Sequence, residues 1–152
     1  MTAFPSDADL LAAGWIKASR RHRRIISRPR VGQVYWIDFP HDVYPPEFMG
    51  EHPGIIIRAA QNLHGTCIIV PVTSKSQSDA SHTHTLTVNP IPSVRQNLIQ
   101  SHVVCDHLYT VHVNRLRPII AKHNRPIYPK ISAHDLQIIV SKIQSALFSN
   151  RV

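Results

Sequence analysis

A chain of 152 residues, 43% of them hydrophobic, has enough apolar side chain for one packed domain and is not disordered throughout. Its formal charge of +8 favours a polyanionic partner, and no apolar run approaches the ~20 residues that span a membrane. The opening "MTAFPSDADLLAAGWIKASRR" sets Asp7 and Asp9 where a secretory leader carries positive charge, so a cytoplasmic protein is expected.

Residues 6–26 read as a helix. Ser6 caps it, Asp9 completes a capping box, and Leu11 and Trp15 share a face. The following "SRRHRRIISRPR" is densely basic. Lys17 and six Arg against Asp7 and Asp9 give residues 1–30 a net +5, and the remainder carries +3. Two uses fit such a run: a solvated charged helix, or an arm that meets nucleic acid through Arg20, Arg21, Arg23 and Arg24. Residues 1–30 are therefore set apart as a basic helical extension of a domain over 31–152.

From Val31 the period changes to two. "VGQVYWIDF" predicts a strand over 32–39, with Val34 and Trp36 on one side and Tyr35 and Ile37 on the other. After the loop "PHDVYPPEFMGEHP", the runs "GIIIRAA" and "TCIIVPVTS", joined by "QNLHG", form a hairpin. "HTHTLTV", "LIQSHVVCD" and "RPIIAK" supply three more strands. "ISAHDLQIIVSKIQSALFSN" is a helix, with Ser132 at the N-cap, Asp135 at N3 and an apolar stripe of Leu136, Ile139, Val140, Ile143 and Leu147. The fold class is mainly β with a C-terminal helix (α+β), as a small, strongly bent sheet or barrel. The expected core is Val34, Trp36, Ile55, Ile57, Ile68, Val70, Val72, Leu86, Val103, Leu116, Ile139, Val140 and Ile143. Cys67 and Cys105 fall in apolar runs and read as buried free thiols.

The strand "CIIVPV" ends abruptly in Thr73, Ser74, Lys75 and Ser76. Either it is an ordinary strand terminus, or it delivers hydroxyls and a cation to a site. Among eleven histidines, His82 and His84 lie at i, i+2 and could share a metal, but no Cys or carboxylate cluster accompanies them. Neither a metal nor another cofactor is expected.

Four segments in register resemble the MazF/PemK toxins of toxin–antitoxin systems: "VGQVYWIDF", "GEHPGIII", "IIVPVTS" and "SHVVCDHLYTVHVNRL". The resemblance runs from about Val31 to Leu147. It implies an SH3-like barrel of about five to seven short strands that forms a homodimer. It further implies metal-independent, sequence-specific cleavage of single-stranded mRNA through 2′-OH attack, and neutralisation by a cognate antitoxin. The alternative on the same fold is a CcdB-like gyrase inhibitor or a weakened toxin that binds RNA. A third reading is a nucleic-acid-binding regulator acting through the Arg-rich arm.

Metal-free RNA cleavage needs a base for the 2′-OH, an acid for the leaving 5′-oxygen, and donors for the phosphorane. Thr73 matches the family's site threonine, and Ser74 and Lys75 extend the same contact. The family's usual Arg before a Pro is His52 here, which titrates where Arg does not, and Glu51 stands beside it. Asp106 matches the family's Asp. Val104 and Tyr109 stand where Arg is common, and His102 and His107 flank Asp106 as replacement cations. Tyr35, Trp36, Tyr44 and Tyr109 are candidates for stacking on bases.

Overall fold

Five of the six residues of the first strand, β1 (Val34–Phe39), are buried, with Asp38 the half-exposed exception. A strand sends alternate side chains to opposite faces, so a fully buried strand must have a core on each side. The computed structural model, which describes residues 24–91 and 99–148, shows two such cores. Val34 and Trp36 join Ile55, Val70, Val72, Leu86 and Val103 on one face. Tyr35, Ile37 and Phe39 join Ile56, Cys67, Ile69, Val111 and Leu116 on the other.

The expected hairpin is present. β2 (Gly50–Arg58) and β3 (Thr66–Thr73) pair antiparallel, Ile55 opposite Val70 and Gly54 opposite Pro71. In the connecting loop the Asn62 side-chain oxygen accepts from the His64 amide at 2.8 Å. β2 also pairs with β1, His52 opposite Ile37 and Glu51 opposite Asp38. A Cβ on Gly54 would lie 2.7 Å from Ile37 Cγ1, so only glycine lets β2 cross here.

β3 then forks. Its first half pairs with β6 (Tyr109–His112), and its end pairs with β5 (His102–Val104), Thr73 opposite His102. β4 (Thr83–Thr85) lies outside β5, and β7 (Leu116–Arg117) lies outside β1. A small second hairpin, β8 (Ile119–Ala121) with β9 (Arg125–Ile127), completes a bent antiparallel structure.

The C-terminal helix α1 (Ala133–Phe148) starts as expected: the Ser132 hydroxyl accepts from the Asp135 amide at 3.0 Å. The Asp135 carboxylate does not complete a capping box. It is buried, takes a hydrogen bond from His84 Nε2 at 2.7 Å and another from the Thr87 hydroxyl at 2.8 Å, and so ties α1 to β4. Lys142 adds bonds to the carbonyls of Ala80 and Thr83. The apolar stripe is narrower than expected. Ile139 and Ile143 are buried and Leu136 is packed on them, while Val140 and Leu147 are exposed. Ile57 is partly buried against the first core, and Ile68 is half-buried. Both cysteines are buried and free, and burial pushes the Cys105 thiol up to about 11.

The expected N-terminal helix falls mostly on residues 1–23, outside the described residues. Arg24, Ile25 and Ile26 carry no helix. Ile25 packs into the second core, and Arg28 donates to the carbonyl of Gln61. The end of the basic segment is therefore part of the packed body. Among the described residues no helix is long and apolar enough to cross a membrane.

Candidate active site

The alternation that builds two cores also builds the site. On β3, Val70 and Val72 point to the face covered by α1, so Thr73 points to the other. On β2, His52 shares that second face with Ile56. Thr83 of β4 and Val104 of β5 come from the neighbouring strands. Together with loops 46–49, 75–79 and 106–107 they line a cleft of about 660 Å³.

His52 sits edge-on against Phe48, with ring centroids 5.0 Å apart, and against Phe39 at 6.2 Å. Burial lowers its pKa below the ordinary imidazole value, a hydrogen bond to the Met49 backbone works against that, and Lys75 reinforces the lowering. The net effect favours the neutral imidazole. The bond to Met49 commits one ring nitrogen and leaves the other its lone pair.

Thr73 closes a tight turn. Its Oγ1 accepts from the Lys75 amide at 3.2 Å, so its own hydroxyl proton is left to donate. Lys75 follows on the cleft rim, and it is the only lysine or arginine among the described lining residues. Facing these groups, Asp79 caps a single 3-10 turn over Ala80–His82. Its Oδ1 takes hydrogen bonds from the Ser81 amide at 3.0 Å and the Ser81 hydroxyl at 2.6 Å. These bonds, with a smaller contribution from His82, hold its carboxyl below the usual range despite some desolvation. Asp79 Oδ2 lies 3.1 Å from His82 Nδ1, and Asp106 Oδ2 lies 3.8 Å from the same nitrogen. His107 Nε2 is 3.9 Å from Asp106 Oδ1, and its Nδ1 is buried without a hydrogen-bond partner.

Of the expected site residues, the fold brings His52, Thr73, Lys75, Asp106 and His107 into this cleft. Tyr109 stands behind it, its hydroxyl accepting from the Phe48 amide at 3.0 Å, and braces the aromatic wall. Glu51, expected to assist His52, does not line the cleft: adjacent strand residues face opposite ways, and Glu51 lies across from Asp38. His102 is also corrected, because it is buried on β5 and its Nδ1 is 2.9 Å from the Thr85 hydroxyl. Ser74 does not line the cleft, and neither does exposed Arg24, while Arg20, Arg21 and Arg23 lie outside the described residues. Tyr35 and Trp36 are buried and offer no stacking surface, whereas Tyr44 is 83% exposed.

Two acidic groups and a histidine were missed as a cluster. Asp79, His82 and Asp106 each place one ligand atom within 4.8 Å of the others, which is enough for a divalent cation as well as for a hydrogen-bonded trio. The available signal was "DASH", an Asp followed three residues later by a His, the spacing of one helical turn.

A bent antiparallel sheet backed by one helix thus carries a histidine–threonine–lysine cleft in a basic chain. The family described as PemK-like, MazF-like toxin of type II toxin-antitoxin system matches residues 30–147, and the chain belongs to it. The fold is similar to that of MazF (Form-I) from Deinococcus radiodurans, with a TM-score of 0.60 at 20% identity over 80% of this chain and 97% of that one. MazE-MazF (Form-II) from the same organism gives 0.56 at 19% identity, covering 80% and 97%. An endoribonuclease in complex with its cognate antitoxin, from Mycobacterial species, gives 0.53 at 16%, covering 78% and 94%. No curated protein sequence matches the chain.

Proposed function

We propose that this toxin is a metal-independent endoribonuclease acting on single-stranded mRNA. One observation carries the reading: His52, Thr73 with its hydroxyl proton uncommitted, and Lys75 converge in one cleft on the face opposite the helix. His52 takes the proton from a ribose 2′-OH, and the 2′-oxygen attacks the adjacent phosphorus. Thr73 and Lys75 stabilise the non-bridging oxygens as charge gathers on them. Asp106 stands between His82 and His107 at the edge of the same cleft. The products are a 2′,3′-cyclic phosphate and a 5′-hydroxyl.

In this reading the bent sheet is an SH3-like barrel that works as a homodimer in the cytoplasm, and the partner that silences it is a cognate antitoxin. The Arg-rich segment ahead of the domain adds attraction for RNA. A second reading, an RNA-binding or gyrase-inhibiting protein that does not cut, draws on the lack of any arginine among the described cleft residues.

The test is incubation with a long single-stranded RNA in EDTA, followed by mapping of the ends. Site-specific cuts ending in cyclic or 3′-phosphate, reduced about 10²–10³-fold by Thr73→Ala, are expected. Retained binding without cutting favours the second reading.

A further inference from the structure

The ribonuclease reading gives His52 the 2′-OH proton and leaves the leaving 5′-oxygen without a donor. An alkoxide is a poor leaving group, so a proton must reach it as the P–O bond breaks. Among the described residues of the cleft, the side chains besides His52 with an N–H to give are Lys75, His107, His82 and the amide of Gln77. Lys75 is already engaged with the non-bridging oxygens, and a carboxamide such as Gln77 is a very weak acid. His107 has its Nδ1 buried, its Nε2 turned toward Asp106, and its ring packed on Phe48 at 5.6 Å. It is a wall of the cleft.

His82 differs. Its side chain is 25% exposed, and it lines the cleft with His52 and Thr73. Its Nδ1 is committed to Asp79, with Asp106 in second position, so Nε2 is the atom left for a ligand. Asp79 is itself locked by two hydrogen bonds from Ser81. An oriented carboxylate behind a histidine fixes the ring and directs its other nitrogen outward, the logic of a catalytic triad. We propose that His82 is the general acid of the reaction, and that Asp79 is its positioning residue. This rests on the ribonuclease reading and adds to it a second histidine. The step balances: the 2′-O–P bond forms and P–O5′ breaks. His52 gains the 2′-OH proton while His82 Nε2 gives one to the 5′-oxygen, and solvent exchange resets both.

The test uses the full chain in EDTA and an RNA oligonucleotide containing a mapped cut site. A matching oligonucleotide has sulfur in place of the 5′-bridging oxygen at the scissile bond, and a thiolate departs without protonation. His82→Ala is expected to cut ordinary RNA about 10²–10⁴-fold more slowly and the sulfur substrate at close to the wild-type rate. Asp79→Asn, which keeps the imidazole, is expected to show a smaller loss with the same rescue. EDTA separates this role from cation binding by the same trio. Unchanged cutting of ordinary RNA by His82→Ala overturns the proposal alone, as do equal losses on both substrates in both variants. Failure of the wild-type protein to cut either substrate overturns the ribonuclease reading and this proposal with it.

Discussion

Replacing Asp135 by Ala removes a carboxylate that is only 2% exposed and leaves its donors stranded. His84 Nε2 at 2.7 Å, the Thr87 hydroxyl at 2.8 Å and the Thr87 amide at 3.3 Å all lose their acceptor. Removing a charged acceptor from buried donors costs about 3 kcal/mol or more. Thr87 is exposed and regains water, so the low end, about 3 kcal/mol, is expected, which lowers the melting temperature by roughly 10 °C in a chain of this size. Asp135→Asn keeps the shape and loses the charge, so it should cost less. Its pH dependence is the sharper test. In the fold, burial raises the Asp135 pKa, but hydrogen bonds from His84 and Thr87 outweigh burial and hold it below the ordinary value. A carboxyl depressed in this way contributes stability that is complete above its unfolded value of about 3.9 and is lost as pH falls through the folded one. The gap between wild type and Asp135→Asn should therefore be full at neutral pH and should close below about pH 4. Urea denaturation across that range measures it. A destabilisation under about 0.5 kcal/mol for Asp135→Ala, or a gap independent of pH, would refute the account of the helix anchor.

His52→Arg replaces a titrating group by a permanent cation. The wild-type cleavage rate should drop on the acid side, at a pH below the ordinary imidazole value because the His52 pKa is lowered, and the variant should show a slower rate without that drop. A pH–rate profile decides, and identical acid limbs would remove His52 from the chemistry. Gly54→Ala forces a methyl to 2.7 Å from Ile37 Cγ1 and should cost about 1–3 kcal/mol in urea melts; an unchanged midpoint would mean that β1 and β2 separate easily. Deleting residues 1–30 strips Ile25 from the second core and should cost about 2 kcal/mol relative to a chain that begins at residue 24. Equal stability of the two truncations would show that Ile25 contributes nothing.

The elements legible in the sequence were those whose local signals agreed with their tertiary use. β1, β2 and β3 carry long β-branched alternation, and α1 carries its own cap in Ser132. β6, β7 and β9 were not expected as strands. They are two to four residues long and exist because a neighbouring strand offers an edge, information that lies elsewhere in the chain. Val140 entered the expected core because it falls on the stripe, yet α1 meets the sheet along a contact too narrow to include it. The site divided in the same way. Thr73 and His52, which the family resemblance singled out, both line the cleft. Glu51 stays outside the cleft because adjacency in a strand means opposite faces. His82 and Asp79 were hidden because their turn takes its place from long-range contacts.

That turn has consequences for rigidity. Ala80, Ser81 and His82 bury nothing of their own. What holds them is at their back: Lys142 of α1 reaches the carbonyls of Ala80 and Thr83, and Asp135 of the same helix clamps His84 two residues beyond His82. β4 is three residues long and two-sided, Thr83 in the cleft and His84 under the helix. The turn therefore borrows its stiffness from α1, and its local opening free energy is set by how firmly the helix is seated. The placement of His82 in the cleft thus depends on side chains of a helix that lies on the far side of the sheet.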